Sequence, residues 1–382
     1  MKNLNCDVLI VGAGVAGLCA AIGAARNKMD TILIEKELEI GYKIKGECIE
    51  KKSPIFEKIF GKELPKNVIL NELTGRRIYS PSAKKFMEME HSEPMVAIDY
   101  RLFMVEIFKE LSKTNCRVFL NTEFLNTIKE NKKVVGATCV KDNKQFDIKA
   151  KFLIAADGNW SKIGNELNIK QPEIYYSLKF NYENLNVPNP QNIELHLITN
   201  PPGAMWMFPK GPNSGETGIT VWTHDLPSNF DIFELWRKKS MENDRMRGII
   251  KGAKSYYISR DFLNFGGPIK NIFGNGVAFV GDAGGHVGAI GASGIISCMS
   301  TGFDVAEFVA NALLTEGEIT EGMVEEFKRK YKKSQIQKFL KKEQSAGKML
   351  RNVLFKSFKT DEVIDENWEK LETMVVSSSA DF

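Results

Sequence analysis

Val8 to Lys36 reads VLIVGAGVAGLCAAIGAARNKMDTILIEK. Val8-Leu9-Ile10-Val11 is a short apolar run, Val15 to Arg26 is rich in Ala and Leu, and Thr31-Ile32-Leu33-Ile34 is apolar again. That order predicts strand, helix and strand, a βαβ unit. Between the first strand and the helix stands Gly12-Ala13-Gly14-Val15-Ala16-Gly17, of the form GxGxxG. Gly12 permits the tight turn, Gly14 lets the backbone approach a pyrophosphate, and Gly17 lets helix and strand pack closely. The phosphates then meet the free amides and positive end of the helix. Glu35 closes the second strand 21 residues after Gly14, where its carboxylate can accept from ribose hydroxyls. Motif and context together predict a bound dinucleotide held by Gly12, Gly14, Ala16, Gly17, Glu35 and Lys36.

Two more acids end apolar strands and are attached to glycine. Ala155-Ala156-Asp157-Gly158 follows Lys151-Phe152-Leu153-Ile154, and Gly281-Asp282 follows Val277-Ala278-Phe279-Val280. A ligand longer than one βαβ unit needs is implied, and FAD supplies that length. Asp282 opens GDAGGHVGAIGASG, Gly281 to Gly294, a run of small residues. Small residues serve either close chain packing or close approach to a ligand; the reading taken is approach to a flavin.

The rest of the chain bounds the answer. With 382 residues, 43% apolar and 26% charged, it can bury a sizeable core and form two or three structural units. A net charge of +4 argues against nucleic acid as a partner. Cys6, Cys19, Cys48, Cys116, Cys139 and Cys298 form no CxxC pair, which argues against a zinc site or a disulfide framework and for reduced thiols in a cytoplasmic protein. No metal site, targeting segment or membrane span is expected. Leu102, Val105, Phe108 and Leu111 make a helical stripe; Val134 to Val140 with Phe146 to Ile148 reads as a hairpin, followed by a separate strand at Lys151 to Ala155. Tyr175 to Phe265 reads as antiparallel strands with helices attached. A helix is expected from Ser293 to Leu314, and the tail from Thr320 is helical by pattern.

GxGxxG with Glu35, the Asp157-Gly158 strand end and the Gly281-Asp282 strand end together resemble the superfamily of aromatic hydroxylases, flavin-dependent halogenases and geranylgeranyl reductases. The resemblance spans roughly residues 6 to 310. It implies an α/β fold: a Rossmann-type FAD-binding domain, glutathione-reductase-like and of hydroxylase type, with an antiparallel-sheet substrate domain and a C-terminal helical region. The expected FAD-binding domain takes residues 1–54, 95–170 and 270–318, the substrate domain 55–94 and 171–269, and the helical region 319–382. The resemblance also implies that Asp282 accepts from a ribityl hydroxyl and that the residues after it, among them Gly291, Ala292 and Ser293, start a helix facing the flavin's pyrimidine edge. Arg101 matches an arginine near the flavin; its other reading is a surface arginine at a helix start.

Three stretches point to the reductase branch. Ala204-Met205-Trp206-Met207-Phe208-Pro209 is similar to that family's Tyr-x-Trp-x-Phe-Pro, with Ala204 in the tyrosine's place. Ala204, Trp206, Phe208 and Pro209 then line an apolar substrate cavity or, on the other reading, an ordinary core. Lys43 to Glu50 carries Gly-Glu-Cys where archaeal lipid reductases carry Cys-Gly-Glu, so Cys48 either donates a proton or is a buried inert thiol. Gly285-His286-Val287 and Gly294-Ile295 keep the reductase spacing, but Gly288, Ala289, Gly291, Ala292 and Ser293 replace Asn-Pro, Thr-Gly and Glu, which leaves extra room beside the flavin. His286 is either a catalytic acid or a packing histidine.

The resemblance implies an FAD-dependent reductase that saturates carbon–carbon double bonds of an apolar, isoprenoid or lipid-linked substrate. The alternative is an FAD-dependent monooxygenase acting on an aromatic or polyene. Electrons are expected from a transient NAD(P)H or ferredoxin-type donor, since no second GxGxxG occurs. From Lys328 to Lys359 there are twelve Lys and Arg against one acid, Glu343. This basic region either rests peripherally on anionic lipid or is a solvated face.

Overall fold

The computed structural model describes residues 3–223, 226–289, 291, 293–352 and 360–379. β1 (Leu4–Val11), α1 (Val15–Arg26) and β2 (Thr31–Ile34) form the expected parallel βαβ unit. Val8, Leu9 and Ile10 are wholly buried, as befits a central parallel strand covered on both faces. β3 (Cys48–Glu50), α2 (Pro54–Phe60), β4 (Ile69–Tyr79), β5 (Phe86–Ile98), α3 (Tyr100–Leu111) and β6 (Arg117–Phe119) follow. Asp99 caps α3, accepting from the Leu102 amide at 2.9 Å.

β7 (Glu123–Glu130), β8 (Lys133–Lys141) and β9 (Lys144–Ala155) make an antiparallel flap. Here the expectation of a hairpin plus a separate strand is corrected. β9 is one strand of 12 residues, antiparallel to β8 at its start and parallel to β1 at its end. Lys149 and Lys151 are outward positions of its alternation.

α4 (Lys162–Glu166), β10 (Ile174–Glu183), β11 (Asn192–Ile198), β12 (Gly203–Pro209), β13 (Ser214–Trp222), α5 (Ile232–Glu242), α6 (Asp244–Ile250) and β14 (Lys254–Asn264) lead into β15 (Phe273–Gly274) and β16 (Val277–Phe279). Helices close the chain: α7 (Ile295–Glu316), α8 (Glu321–Tyr331), α9 (Gln335–Asn352), α10 (Asp361–Glu366) and α11 (Trp368–Ser379).

Two sheets result. The first runs β15-β16-β9-β1-β2-β6, with β8 also paired to β9 and β7 to β8. β1 lies between β2 and β9, so the chain leaves it first to one side and later to the other; the carboxyl ends of such strands form a ligand crevice. α1 and α7 cover this sheet together and pack so tightly that a Cβ at Gly302 would stand 2.2 Å from the Ala16 carbonyl oxygen.

The second sheet runs β14-β10-β13-β12-β11-β4-β5-β3 and is antiparallel except where β4 meets β11. One face, with Leu178, Met205, Ile219 and Val221, is covered by Ile232 and Trp236 of α5 and Met246 of α6. Ala204, Trp206 and Phe208 alternate onto the other face. That face is closed at one end by Ile364, Trp368 and Leu371 of α10 and α11, packed on Met87. The two layers also divide differently from the expected boundaries. Ile55, Phe56, Ile59 and Phe60 of α2 belong to the first core, whereas β3, residues 48–50, is an edge of the second sheet.

Candidate functional site

Register brings the scattered motifs into one row. Val11 pairs with Ile34 and with Ala155, and Ala155 with Phe279. Gly12, Glu35, Ala156-Asp157 and Val280-Gly281-Asp282 therefore leave the sheet side by side at its carboxyl edge. Gly12 has φ 101°, and a Cβ there would stand 2.4 Å from the Ala156 carbonyl oxygen; one at Gly17 would stand 1.8 Å from the Gly12 oxygen. A Cβ at Gly14 meets nothing within 4 Å. Two glycines thus close the turn, and the third borders open space. No side chain caps α1, and its first turn holds no acid, which suits a bound anion. Glu35 sits beside this space, its carboxylate accepting from the amides of Ala13 at 2.7 Å and Glu37 at 3.0 Å. Open space at Gly14, an uncapped helix and an anchored carboxylate fit the phosphate and ribose of a dinucleotide. Lys36 and Arg101 are exposed at the rim, where Arg101 stands 3.9 Å from Glu39.

Asp157 has a different immediate task from the one expected. Its two oxygens accept from Ser161 Oγ at 2.7 Å and the Ile163 amide at 3.2 Å, so the carboxylate organises the start of α4. Gly158, with φ 79°, meets nothing where a Cβ would stand and so opens onto the groove. Asp282 keeps access: its side chain is 22% exposed. Asn159 Nδ2 donates to Asp282 Oδ2 at 3.3 Å, and the Lys45 ammonium lies 3.9 Å from the same oxygen while bonding Asp261. Burial pushes the Asp282 carboxyl up and Lys45 opposes it.

The glycine-rich run divides into two parts. A Cβ at Gly281 would meet Ala16 Cβ at 2.7 Å, at Gly284 the Phe279 oxygen at 2.6 Å, and at Gly285 the Gly267 oxygen at 2.2 Å. These glycines are small because chain packs on chain, which corrects the reading of the whole run as approach to a flavin. At Gly288 and Ala289 the extra room expected further along is also filled. A Cβ at Gly288 would stand 2.8 Å from Glu343 Oε2, and Gly347 packs on Ala289. Glu343, from α9, accepts from the Gly291 amide at 3.2 Å. A carboxylate that the resemblance places at residue 293 is here brought from the C-terminal helices, while Ser293 accepts from the Gly288 amide with its carbonyl at 3.0 Å. Ala292 lies outside the described residues.

His286 is wholly buried against Tyr331. Burial pushes its imidazole down to about 4, which disfavours the cationic form at neutral pH.

A charged cluster lies on the inner face of the second sheet, where the loop from β2 to β3 crosses it. Lys210 Nζ stands 2.7 Å and Lys179 Nζ 3.6 Å from Glu47 Oε2. Lys179 Nζ donates to Glu216 Oε2 at 3.1 Å, and Trp206 Nε1 to Glu216 Oε1 at 2.8 Å. All four charged residues are less than 9% exposed. Glu216, hydrogen-bonded and ion-paired, is held below the usual carboxylate range. Burial and the Glu216 charge push Glu47 up to about 7. Lys179 also donates to the Lys45 carbonyl, which ties this cluster to Asp282.

Trp206 therefore belongs to the ion cluster through its indole, and Ala204 and Phe208 stay half-buried on the same face. Pro209 alternates to the opposite side and is buried. Cys48 is half-buried beside Glu47, its thiol pushed well up by burial and by both carboxylates. Next to it Leu73, Ala97, Ile193, Met95, Leu195 and Phe208 form an apolar strip. Sequence reasoning missed Lys45, Lys179, Glu216 and Glu343. Lys45 lies between Lys43 and Glu50; Lys179 alternates with apolar residues as a solvent-facing charge would, Glu216 sits among small and polar residues, and Glu343 stands out only as the single acid of a basic run.

The model of the family described as FAD binding domain matches residues 5–229. The chain is 28% identical over 381 residues to a digeranylgeranylglycerophospholipid reductase of Thermoplasma acidophilum, covering 97% of this chain and 91% of that one. It is 27% identical over 339 residues to the protein of that name from Methanosarcina acetivorans, covering 85% and 80%. Among solved structures, a geranylgeranyl bacteriochlorophyll reductase-like protein from Thermoplasma acidophilum superposes with TM-score 0.85 at 23% identity, covering 100% and 97%. A flavin-dependent brominase superposes with TM-score 0.72 at 17% identity, covering 98% and 93%.

Proposed function

The chain belongs to the FAD-binding-domain family, and from that premise we propose that it is a reductase saturating carbon–carbon double bonds of a lipid-linked isoprenoid chain. FAD is its cofactor, and when reduced it supplies hydride at N5; the protein supplies binding, orientation and exclusion of water. Gly14 and the amides opening α1 would hold the pyrophosphate, Glu35 a ribose, and Asp282 the ribityl chain. The observation that carries the substrate reading is the apolar strip of Leu73, Met95, Ile193, Leu195 and Phe208, which ends at Cys48 and the charged cluster. A long apolar chain lies along such a strip, and its double bond meets polar groups only at the end. Cys48 is the side chain at that meeting point. Its raised thiol stays protonated and shields the alkene from water.

The test is lipid mass spectrometry on cells expressing the chain with a supplied electron donor. A gain of two mass units per double bond is expected. An unchanged alkene pattern, or addition of oxygen, sinks the reading and favours the monooxygenase. The donor itself is proposed to be a transient nicotinamide or ferredoxin-type partner.

We further propose that the substrate is taken from a membrane surface. Among the described residues no helix is long and apolar enough to cross a membrane. On α8, α9 and the turn between them, Arg329, Lys330, Lys332, Lys333, Lys338 and Lys341 are exposed. The opposite side of α9 carries buried Leu340, Glu343 and Gly347, the last two against the Gly288–Gly291 loop. One helix thus joins the basic face to the flavin-side loop. Flotation with anionic vesicles is expected to carry the protein at low salt and release it at high salt. Equal flotation with neutral vesicles, or none, refutes the membrane contact.

A further inference from the structure

Saturating a double bond consumes a proton as well as a hydride, and a buried site needs somewhere to keep it. The cluster beneath Cys48 contains two carboxylates and two ammonium groups with almost no water access. Glu216 holds the better position, with Lys179 Nζ at 3.1 Å and the Trp206 indole at 2.8 Å. Glu47 is left with Lys210 at 2.7 Å and a longer contact to Lys179. Lys210 faces outward: Tyr256 on β14 lies close enough for the two groups to interact electrostatically, and Tyr256 is 60% exposed. Tyr256, Lys210 and Glu47 therefore lead from the surface to the residue beside Cys48. Every element packed on Glu47 contributes to its charge balance: Lys179, Lys210, Glu216, Tyr256, Cys48 and, at the start of α3, Tyr100.

We propose that Glu47 stores the proton used in double-bond saturation and that its replacement enters from solvent on the side of Lys210 and Tyr256. This rests on the reductase reading above. Hydride from the reduced cofactor brings two electrons to one alkene carbon. At the other carbon a C–H bond forms as the Glu47 O–H bond breaks, directly or through the Cys48 thiol. The Lys210 ammonium, held charged by Glu47 and Glu216, keeps its own proton and stabilises the carboxylate left behind, which is then reprotonated from solvent. The alkene gains two electrons, the cofactor loses two, and one solvent proton is consumed. An acid that titrates near the working pH both gives and regains a proton readily; a thiol pushed well above nine regains its own but gives it poorly.

The test reads protonation directly. Infrared difference spectra of the full chain with FAD bound and isotopically labelled glutamate carboxyls are expected to show a buried protonated carboxyl that titrates near neutrality. Glu47→Gln is expected to abolish the band. Glu216→Gln is expected to abolish it too although Glu47 is intact, because two ammonium groups then face one carboxylate. In turnover Glu47→Gln is expected to lower the rate about 100-fold at neutral pH and flatten its pH profile, with partial recovery in Glu47→Asp. A band that persists in Glu47→Gln, or that ignores Glu216→Gln, overturns the proposal. So does an unchanged rate and pH profile in Glu47→Gln while the wild type saturates alkenes. If the band behaves as expected but the wild type saturates no alkene, the reductase reading fails instead, and with it this use of the proton.

Discussion

Gly14→Ala is expected to give a folded protein that fails to retain flavin. Gly14 has φ −68°, ordinary for alanine, and its Cβ would meet no atom within 4 Å. The poorer helix-capping of alanine is offset by the smaller entropy of its unfolded chain, so the flavin-free melting temperature should move by no more than about 3 °C. The methyl group, however, enters the space that lets the backbone approach a pyrophosphate. An increase in FAD Kd of at least about 100-fold, roughly 2.8 kcal/mol, is expected. Gly17→Ala is the contrasting variant. Its Cβ would stand 1.8 Å from the Gly12 oxygen, so the turn itself must move, at a cost of about 1–3 kcal/mol even without flavin. Calorimetric titration with FAD and thermal melts of both flavin-free variants separate the two effects. Gly14→Ala protein that purifies yellow at full occupancy would show that the open space is not the phosphate site.

That contrast indicates which parts of the site were legible beforehand. GxGxxG is read locally: strand, turn and helix lie within the same stretch, and each glycine's task follows from that geometry. Asp157 and Asp282 were legible as strand ends because parallel strands of one sheet end in one row. Composition did not reveal what crowds a small residue. Gly281, Gly284 and Gly285 meet Ala16, Phe279 and Gly267, and two of those partners belong to segments distant in the chain. Glu343 was illegible for the same reason, since it reaches the Gly291 amide across 52 positions. Lys179 was hidden by alternation itself. On a strand with one covered face, a charge at every second position reads as the solvent side, and here that side faces inward because the β2-to-β3 loop lies over it.

Lys179→Met is expected to reverse the pH dependence of stability as well as lower it. Lys179 is 7% exposed and bonds Glu216, which is 2% exposed. Removing one partner of a buried ion pair leaves an uncompensated charge, at a cost of about 3–5 kcal/mol near neutral pH. In the wild type, Glu216 is held below its ordinary range; its stabilising contribution is present above the unfolded carboxyl's pKa, about 4.3, and is lost as the pH falls through the lower folded value. In the variant the Trp206 indole and the more distant Lys210 charge remain, but the hydrogen-bonded ammonium is gone and burial dominates. The folded carboxyl then titrates above about 4.3, the native state binds more protons than the unfolded chain, and this group's contribution falls as the pH rises through that window. The variant's deficit should thus be smallest in mild acid and largest above neutrality, as read by urea unfolding across pH. Adding Glu216→Gln to Lys179→Met should recover part of the loss and flatten the profile, because the amide carries no charge to strand. A deficit below about 1 kcal/mol that does not change with pH would mean that the cluster is neutral in the folded chain. The proton assigned to Glu47 would then have no charge balance to hold it.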